Sequence, residues 1–221
     1  MSATLDALRS LWGPGEGAKP TFFPDRRRDD FADLVGALGF ATGAEIGVGG
    51  GRYSRTLCSR NQSLRLLCVD NWSAYPAAWS HRAMGQEEQE SIFARATGRL
   101  GAFPGATIVR GSSMEAARAV EDHSLDFVYI DANHTLPSVV SDIAAWEAKV
   151  RFGGIVAGHD FTHARYNGWH PLTRESIRPG PDYKPCHVIE AVCAWVACFG
   201  INPWFVFDGA RGAASWFWVK A

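Results

Sequence analysis

Two apolar runs in the chain end in groups that can move a proton or hold a cation. Phe127-Val128-Tyr129-Ile130 is followed by Asp131-Ala132-Asn133-His134, and Ile155-Val156-Ala157 leads through Gly158 into His159-Asp160. A histidine near its ordinary pKa exchanges protons at neutral pH, which suits a general base. Two carboxylates can instead share a divalent cation that acidifies a bound hydroxyl. Oxygen ligands suit Mg²⁺, and an added imidazole moves the preference towards Mn²⁺, iron or Zn²⁺. Well upstream stands a glycine-rich turn preceded by an acid, Ala44-Glu45-Ile46-Gly47-Val48-Gly49-Gly50-Gly51. Gly47, Gly49 and Gly51 let the backbone turn tightly and let a ligand approach with no Cβ in the way. The third glycine comes one residue too early for a dinucleotide fingerprint, which disfavours a nucleotide-dependent dehydrogenase.

The polar groups around this turn each have a structural and a ligand-binding reading. Glu45 lies near the end of a strand that must be largely buried, so its carboxylate needs a partner. That partner is either a cationic ammonium on a cofactor or a protein side chain. Asp70 closes the run 65–69, where an acid accepts hydrogen bonds from ribose hydroxyls or caps a helix. Asn71 and Trp72 follow directly, and Trp72 offers a flat face to a base. Gly111-Ser112-Ser113 ends another run and either meets the edge of a base or caps the next helix.

These groups converge if the apolar runs are neighbouring strands of one open sheet, whose carboxyl ends form a crevice. Strands are expected at 43–48, 65–69, 106–110, 125–130 and 155–157. Helices are expected between them, with apolar residues at helical spacing: Phe31, Leu34, Val35 and Leu38 after Asp29-Asp30; Tyr53 and Leu57; Ile92, Phe93, Ala96 and Leu100; a short one over 114–120. Another carries Val139, Ile143, Trp146 and Val150, with Pro137 in its first turn and Gly153-Gly154 at its end. A helix over 188–199 precedes two terminal strands, 204–207 and 215–219, read as a hairpin around Asp208-Gly209. The alternation is that of an α/β domain. Residues 1–28 read as an N-terminal arm and 29–221 as the domain. The long irregular segment 161–187 reads as a lid over the site, with His163, Arg165, Tyr166, Trp169, His170, Arg174 and Tyr183 facing an acceptor.

With 221 residues, nearly half hydrophobic, and a net charge of -1, the chain is expected to form a single soluble domain with no electrostatic pull towards nucleic acid or membrane. Arg26-Arg27-Arg28, followed at once by Asp29-Asp30, reads as a solvated surface segment, with an anion-binding patch as the alternative. The five cysteines show neither a C-x-x-C pair nor zinc-site spacing, and read as buried reduced thiols of a reducing compartment. Neither a signal-peptide pattern nor an apolar stretch of membrane-spanning length occurs, so the expected location is cytoplasmic.

The ordered set Glu45-x-Gly47-x-Gly49-x-Gly51, Val69-Asp70, Gly111-Ser112-Ser113 and Tyr129-Ile130-Asp131 resembles class I S-adenosylmethionine-dependent methyltransferases. It is most similar to a bacterial small-molecule subgroup related to the macrocin-type O-methyltransferases. The specific part is Tyr129 to His134, then Asp142 with Trp146, Gly153-Gly154, and Gly158-His159-Asp160-Phe161. Ser215 to Lys220 also fits that subgroup's last strand. The resemblance covers roughly residues 30–220. It implies a Rossmann-like, doubly wound, seven-stranded sheet, mostly parallel with an antiparallel last strand, in the order 3-2-1-4-5-7-6. It implies S-adenosylmethionine as cofactor, with Glu45 on the ammonium, Gly47, Gly49, Gly51 and Tyr53 lining the methionine and ribose, Asp70 on the ribose hydroxyls, Asn71 and Trp72 beside it, and Ser112 or Ser113 on the adenine. Asp131 would border the cofactor.

On the acceptor side the same resemblance implies methyl transfer to a small molecule, most readily at a hydroxyl oxygen, with His134, His159 and Asp160 as catalytic groups. Asp131, His159 and Asp160 are the expected ligands of any Mg²⁺ or Mn²⁺. Asn133 and His159 stand where related metal-dependent enzymes carry acids, a departure that leaves metal and metal-free mechanisms both open. N-methylation, and a non-catalytic binding or assembly domain on the same fold, are the alternatives. No motif for amino groups on nucleic-acid bases occurs. The aromatic arm, with Phe22 and Phe23, is expected to close the site or to reach a second subunit in a homodimer.

Overall fold

The computed structural model of the protein describes residues 2–13, 20–75, 84–161, 186–207 and 214–221. In chain order its elements are α1 (Ala3–Trp12), β1 (Thr21–Phe23), α2 (Arg28–Ala37), β2 (Thr42–Ile46), α3 (Arg52–Arg60), β3 (Arg65–Asp70), α4 (Gln86–Leu100), β4 (Ala106–Arg110), α5 (Ser113–Arg118), β5 (Leu125–Ile130), α6 (Leu136–Glu147), β6 (Val150–Gly158), α7 (Val188–Cys198), β7 (Trp204–Phe207) and β8 (Ser215–Val219). The strands form one sheet in the order β1-β7-β8-β6-β5-β2-β3-β4. β8 runs antiparallel to both β6 and β7, and every other pairing is parallel. Renumbered from β2, this is the expected seven-strand order and direction.

β5 shows why the sheet is doubly wound. Phe127, Val128, Tyr129 and Ile130 are all buried, as a central parallel strand requires. Successive side chains point to opposite faces. Phe127 and Tyr129 join Phe31, Leu57, Ala96 and Phe217 in the core beneath α2, α3 and α4. Val128 and Ile130 join Ala117, Ile143, Trp146 and Val192 beneath α5, α6 and α7. β2 sits between β3 and β5, and from there the chain winds outwards in both directions. That reversal opens a crevice at the carboxyl ends of β2 and β5.

Three local expectations differ from the structure. Val150 keeps helical spacing from Trp146 but opens β6, and Gly153-Gly154 lie within that strand rather than ending a helix. An eighth strand, β1, comes from the arm and pairs with β7 at the edge of the sheet. Phe23 is therefore buried, its ring 5.9 Å from Phe205 and 6.0 Å from Phe207. The strand of the arm thus packs on its own sheet, with Phe23 inward and Phe22 half-buried. Cys58, Cys68 and Cys186 are buried free thiols as expected, whereas Cys193 and Cys198 are exposed on α7. Among the described residues no helix is long and apolar enough to cross a membrane. Most of the expected lid, 162–185, and the expected turn at Asp208-Gly209 lie outside the described residues.

Candidate active site

The glycine turn after β2 is shaped by its neighbours. Gly47 has φ +92°, and a Cβ there would stand 2.1 Å from the backbone oxygen of Asp131. Only glycine allows β2 and β5 to approach so closely at the crevice. Gly49 has φ +52°, with no atom within 4 Å of where its Cβ would be, so it is required for conformation and leaves open space. Its amide donates to Asp70 Oδ2 at 2.8 Å, and the Trp72 amide donates to Asp70 Oδ1 at 3.0 Å. Asp70 thus ties the turn to the end of β3.

Trp72 is wholly buried, with its ring 4.8 Å from Phe93 and its indole nitrogen donating to the Gly49 oxygen at 2.9 Å. Its backbone φ of +44° turns the side chain beneath the glycine turn, away from the position of a base-stacking wall. The serines also divide. The Ser112 hydroxyl caps α5, accepting from the Glu115 amide at 3.2 Å. The Ser113 hydroxyl donates to Asp142 Oδ1 at 2.5 Å and accepts from the Trp146 indole nitrogen at 2.8 Å. Burial pushes the Asp142 carboxyl up to about 6, with the Ser113 hydrogen bond opposing the shift.

A cavity of about 1040 Å³ fills the crevice. Its walls include Glu45, Gly47, Gly49, Tyr53, Asp70, Asn71, Ser113, Asp131, Asn133, His134 and Asp142. Gly51, Trp72, Ser112, His159 and Asp160 do not line it. Tyr75, Met84, Gln89, Ile92 and Arg95 form a further side.

One end of the cavity holds a charged cluster that the sequence did not announce. Arg28, the first residue of α2, reaches in to place Nη2 2.8 Å from Asp131 Oδ2 and 3.9 Å from Glu45 Oε1. Its guanidinium lies 3.9 Å from the Tyr53 ring centroid and 5.2 Å from that of Tyr129, within cation–π range. The expectation of a solvated Arg26–Arg28 segment therefore fails at Arg28. Arg26 instead packs over Trp12 and pairs with Asp30 at 3.1 Å. Burial works against the Arg28 charge, but Tyr129, Asp131 and Glu45 outweigh it and hold its pKa above the ordinary arginine value. Glu45 is 1% exposed and accepts a hydrogen bond from the Ser54 hydroxyl. Burial pushes its carboxyl up to about 8, against the opposing effects of Arg28 and Ser54.

Beside it lies a second cluster. His134 Nε2 is 3.0 Å from Asp160 Oδ2 and 3.5 Å from Asp131 Oδ1. Burial would lower the His134 pKa, but the neighbouring carboxylates of Asp131 and Asp160 raise it to about 9. Burial would raise the Asp160 carboxyl, but His134 and His159 hold it well below the usual carboxylate range. Asp160 has φ +57°, an uncommon conformation for a residue other than glycine. His159 Nδ1 is more distant, 3.6 Å from Asp160 and 3.9 Å from Asp131. Among the described residues, those whose ligand atoms lie within 4.8 Å of one another are Asp131, His134 and Asp160. His134 thus stands where the sequence suggested His159. Two carboxylate oxygens and an imidazole nitrogen fit a divalent cation, which would have to displace the proton on His134.

The methyltransferase domain family matches residues 44–161, more than half of the chain. No curated protein matches the sequence closely enough to count as a relative. Among solved structures, a Staphylococcus aureus protein provisionally assigned as a caffeoyl-CoA O-methyltransferase aligns over 100% of this chain and 93% of its own, at 14% identity and a TM-score of 0.60. The O-methyltransferase of Streptomyces achromogenes involved in tomaymycin synthesis, solved with S-adenosylmethionine, aligns over 99% and 88%, at 15% identity and a TM-score of 0.58. A Bacillus cereus O-methyltransferase in complex with S-adenosylhomocysteine aligns over 100% and 92%, at 14% identity and a TM-score of 0.57. These likenesses are to the fold, whereas the family match is to the sequence that builds the crevice. With its glycine turn, its Asp70 and its carboxylate–imidazole cluster on that segment, the chain belongs to the methyltransferase domain family and is a class I S-adenosylmethionine-dependent methyltransferase.

Proposed function

We propose that the protein methylates a hydroxyl oxygen of a small-molecule acceptor, with His134 receiving the acceptor's proton. The observation that carries this is the position of His134 on the cavity wall, braced between Asp131 and Asp160 beside the glycine turn. In the cofactor, S-adenosylmethionine supplies an electrophilic methyl group on a sulfonium. The chain's own residues bind, orient and exchange a proton. The open space over Gly49 receives the methionine and ribose portion, and Asp70, already fixed by two amides, presents its remaining lone pairs to ribose hydroxyls. Ser113 and Asp142 face the base. Glu45 Oε1 has an ion pair at 3.9 Å but no hydrogen-bond donor among the described residues, and the raised Glu45 pKa marks a place short of positive charge. A ligand ammonium would remedy both deficits.

His134 in the free protein is protonated up to about pH 9, so it accepts a proton only after losing its own. A rise in pH removes that proton. A divalent cation on Asp131, His134 and Asp160 would instead occupy the imidazole nitrogen and acidify the hydroxyl itself, so that His134 would serve as a ligand rather than as the base. Much of the remaining acceleration is positioning, because methyl transfer is an in-line displacement. The test is methyl transfer from S-adenosylmethionine to a panel of catechols, phenols and sugars, with EDTA or with Mg²⁺ or Mn²⁺. We expect hydroxyl methylation that falls at least ~100-fold in His134→Gln, the usual contribution of a positioned base. Transfer confined to amines, or unaffected by His134→Gln, would overturn the reading.

A further inference from the structure

Arg28 lies outside the segment that matches the methyltransferase family, yet it completes one end of the cavity. Two unmet hydrogen-bonding needs sit side by side there. Arg28 Nε is buried without an acceptor. Glu45 Oε1, 3.9 Å from the same guanidinium, is without a hydrogen-bond donor among the described residues. A buried donor left unmade is costly, and more so on a charged group. An α-amino acid carries the complementary pair on a single carbon: an ammonium for Glu45 and a carboxylate for the Arg28 edge. The guanidinium fork is built for a carboxylate, and stacking on Tyr53 fixes its plane.

We propose that Arg28 binds the α-carboxylate of the donor's amino-acid end and thereby selects a donor that carries that carboxylate over one with an amine alone. The proposal rests on the reading of the cavity as the donor site. It assigns the arm-proximal end of α2 a direct part in donor recognition. It also links the two charged clusters. Arg28 holds Asp131 at 2.8 Å, and Asp131 lies 3.5 Å from His134. A carboxylate that shares Arg28 therefore relaxes its hold on Asp131, which is then freer to serve the imidazole.

The competing expectation has the opposite sign. If only the acidic residues Glu45, Asp131 and Asp160 governed this end of the cavity, a ligand without its carboxylate would bind more tightly, being more positive. The experiment is calorimetric titration of the wild-type protein with S-adenosylhomocysteine and with S-adenosyl-3-thiopropylamine, the same thioether lacking the α-carboxylate. We expect S-adenosylhomocysteine to bind about 10- to 100-fold more tightly, the range for a hydrogen bond to a charged group. Arg28→Gln should erase most of that ratio, chiefly by weakening S-adenosylhomocysteine, and Arg28→Lys should restore part of it. Equal affinities in the wild type, or tighter binding of the amine, overturn the proposal without need of a variant. An undiminished ratio in a folded Arg28→Gln protein does so as well. Failure of the wild type to bind either ligand would strike instead at the reading of the cavity as the donor site.

Discussion

Raising the pH should dismantle the His134 cluster within a defined window. The two carboxylates lift the imidazole from its ordinary 6.5 to about 9. This corresponds to about 3 kcal/mol in favour of the charged form in the folded protein. The side chains of His134, Asp131 and Asp160 are 18%, 16% and 5% exposed, so solvent screening makes that figure an upper limit. A group whose folded pKa is raised binds its proton more tightly when folded. Its contribution is fully present below 6.5 and disappears as the pH rises through about 9. The assay is urea unfolding of the wild type and His134→Gln at pH 6 and pH 10. At pH 6 the variant should be less stable by up to ~3 kcal/mol, because buried Asp160 loses its nearest cation and Asp131 is left with Arg28 alone. At pH 10 the gap should nearly close, since wild-type imidazole is then neutral like glutamine. Glu45 and other groups titrate in both proteins and cancel in the difference. A gap of equal size at both pH values would refute the paired-imidazolium reasoning.

Gly47→Ala should cost several kcal/mol or prevent folding, since its Cβ would meet the Asp131 backbone at 2.1 Å; a thermal melt reads the outcome. Glu45→Gln should separate stability from binding. At pH 9 the variant should be no less stable than the wild type, because a buried carboxylate with a pKa near 8 is disfavoured once ionised, yet it should bind S-adenosylhomocysteine at least ~10-fold more weakly by calorimetry. Asp70→Asn should turn an amide N–H₂ towards either the Gly49 or the Trp72 amide, with a loss of ~2 kcal/mol in denaturant unfolding and a matching loss of donor affinity. At pH 7.5, Mn²⁺ bound by Asp131, His134 and Asp160 should release about one proton, seen as a dependence of the calorimetric heat on buffer ionisation enthalpy; a heat independent of buffer would rule out displacement of the His134 proton.

Much of the framework was legible because its signals are local. The apolar runs at 125–130 and 65–69, and the glycines between a strand and a helix, identify strands and a turn without knowledge of the partners. The carboxyl ends of the strands follow, and with them the placement of Glu45, Asp70, Asp131 and His134. The errors come from non-local causes. Arg28 stands in a run of arginines and aspartates that by composition belongs to water, and nothing adjacent in sequence shows that it meets Asp131. The available hints were that buried Glu45 needed a partner and that the arginine run could bind an anion. Ser112 and Ser113 are equivalent in sequence, but the helix beginning between them gives one hydroxyl to a cap and the other to Asp142. Val150 lies four residues after Trp146 by coincidence of spacing, and pairing with Leu125 makes it a strand residue. β1 is only three residues long, too short to show a period.

The pairing of β1 with β7 also has a consequence for how the protein is made. Thr21–Phe23 lie beside Phe205–Phe207, so the contacts of β1 await residues far downstream. On a ribosome, where polypeptide emerges from the amino end onwards, the β2–β5 half of the sheet can assemble while β7 is still unsynthesised. Arg28 follows β1 by five residues, and its anchorage beside the crevice is therefore tied to the last edge of the sheet to form. A nascent chain would own the glycine turn and Asp70 well before it owned a fixed Arg28, so that competence for the amino-acid end of a ligand should come late, after β7 has been made.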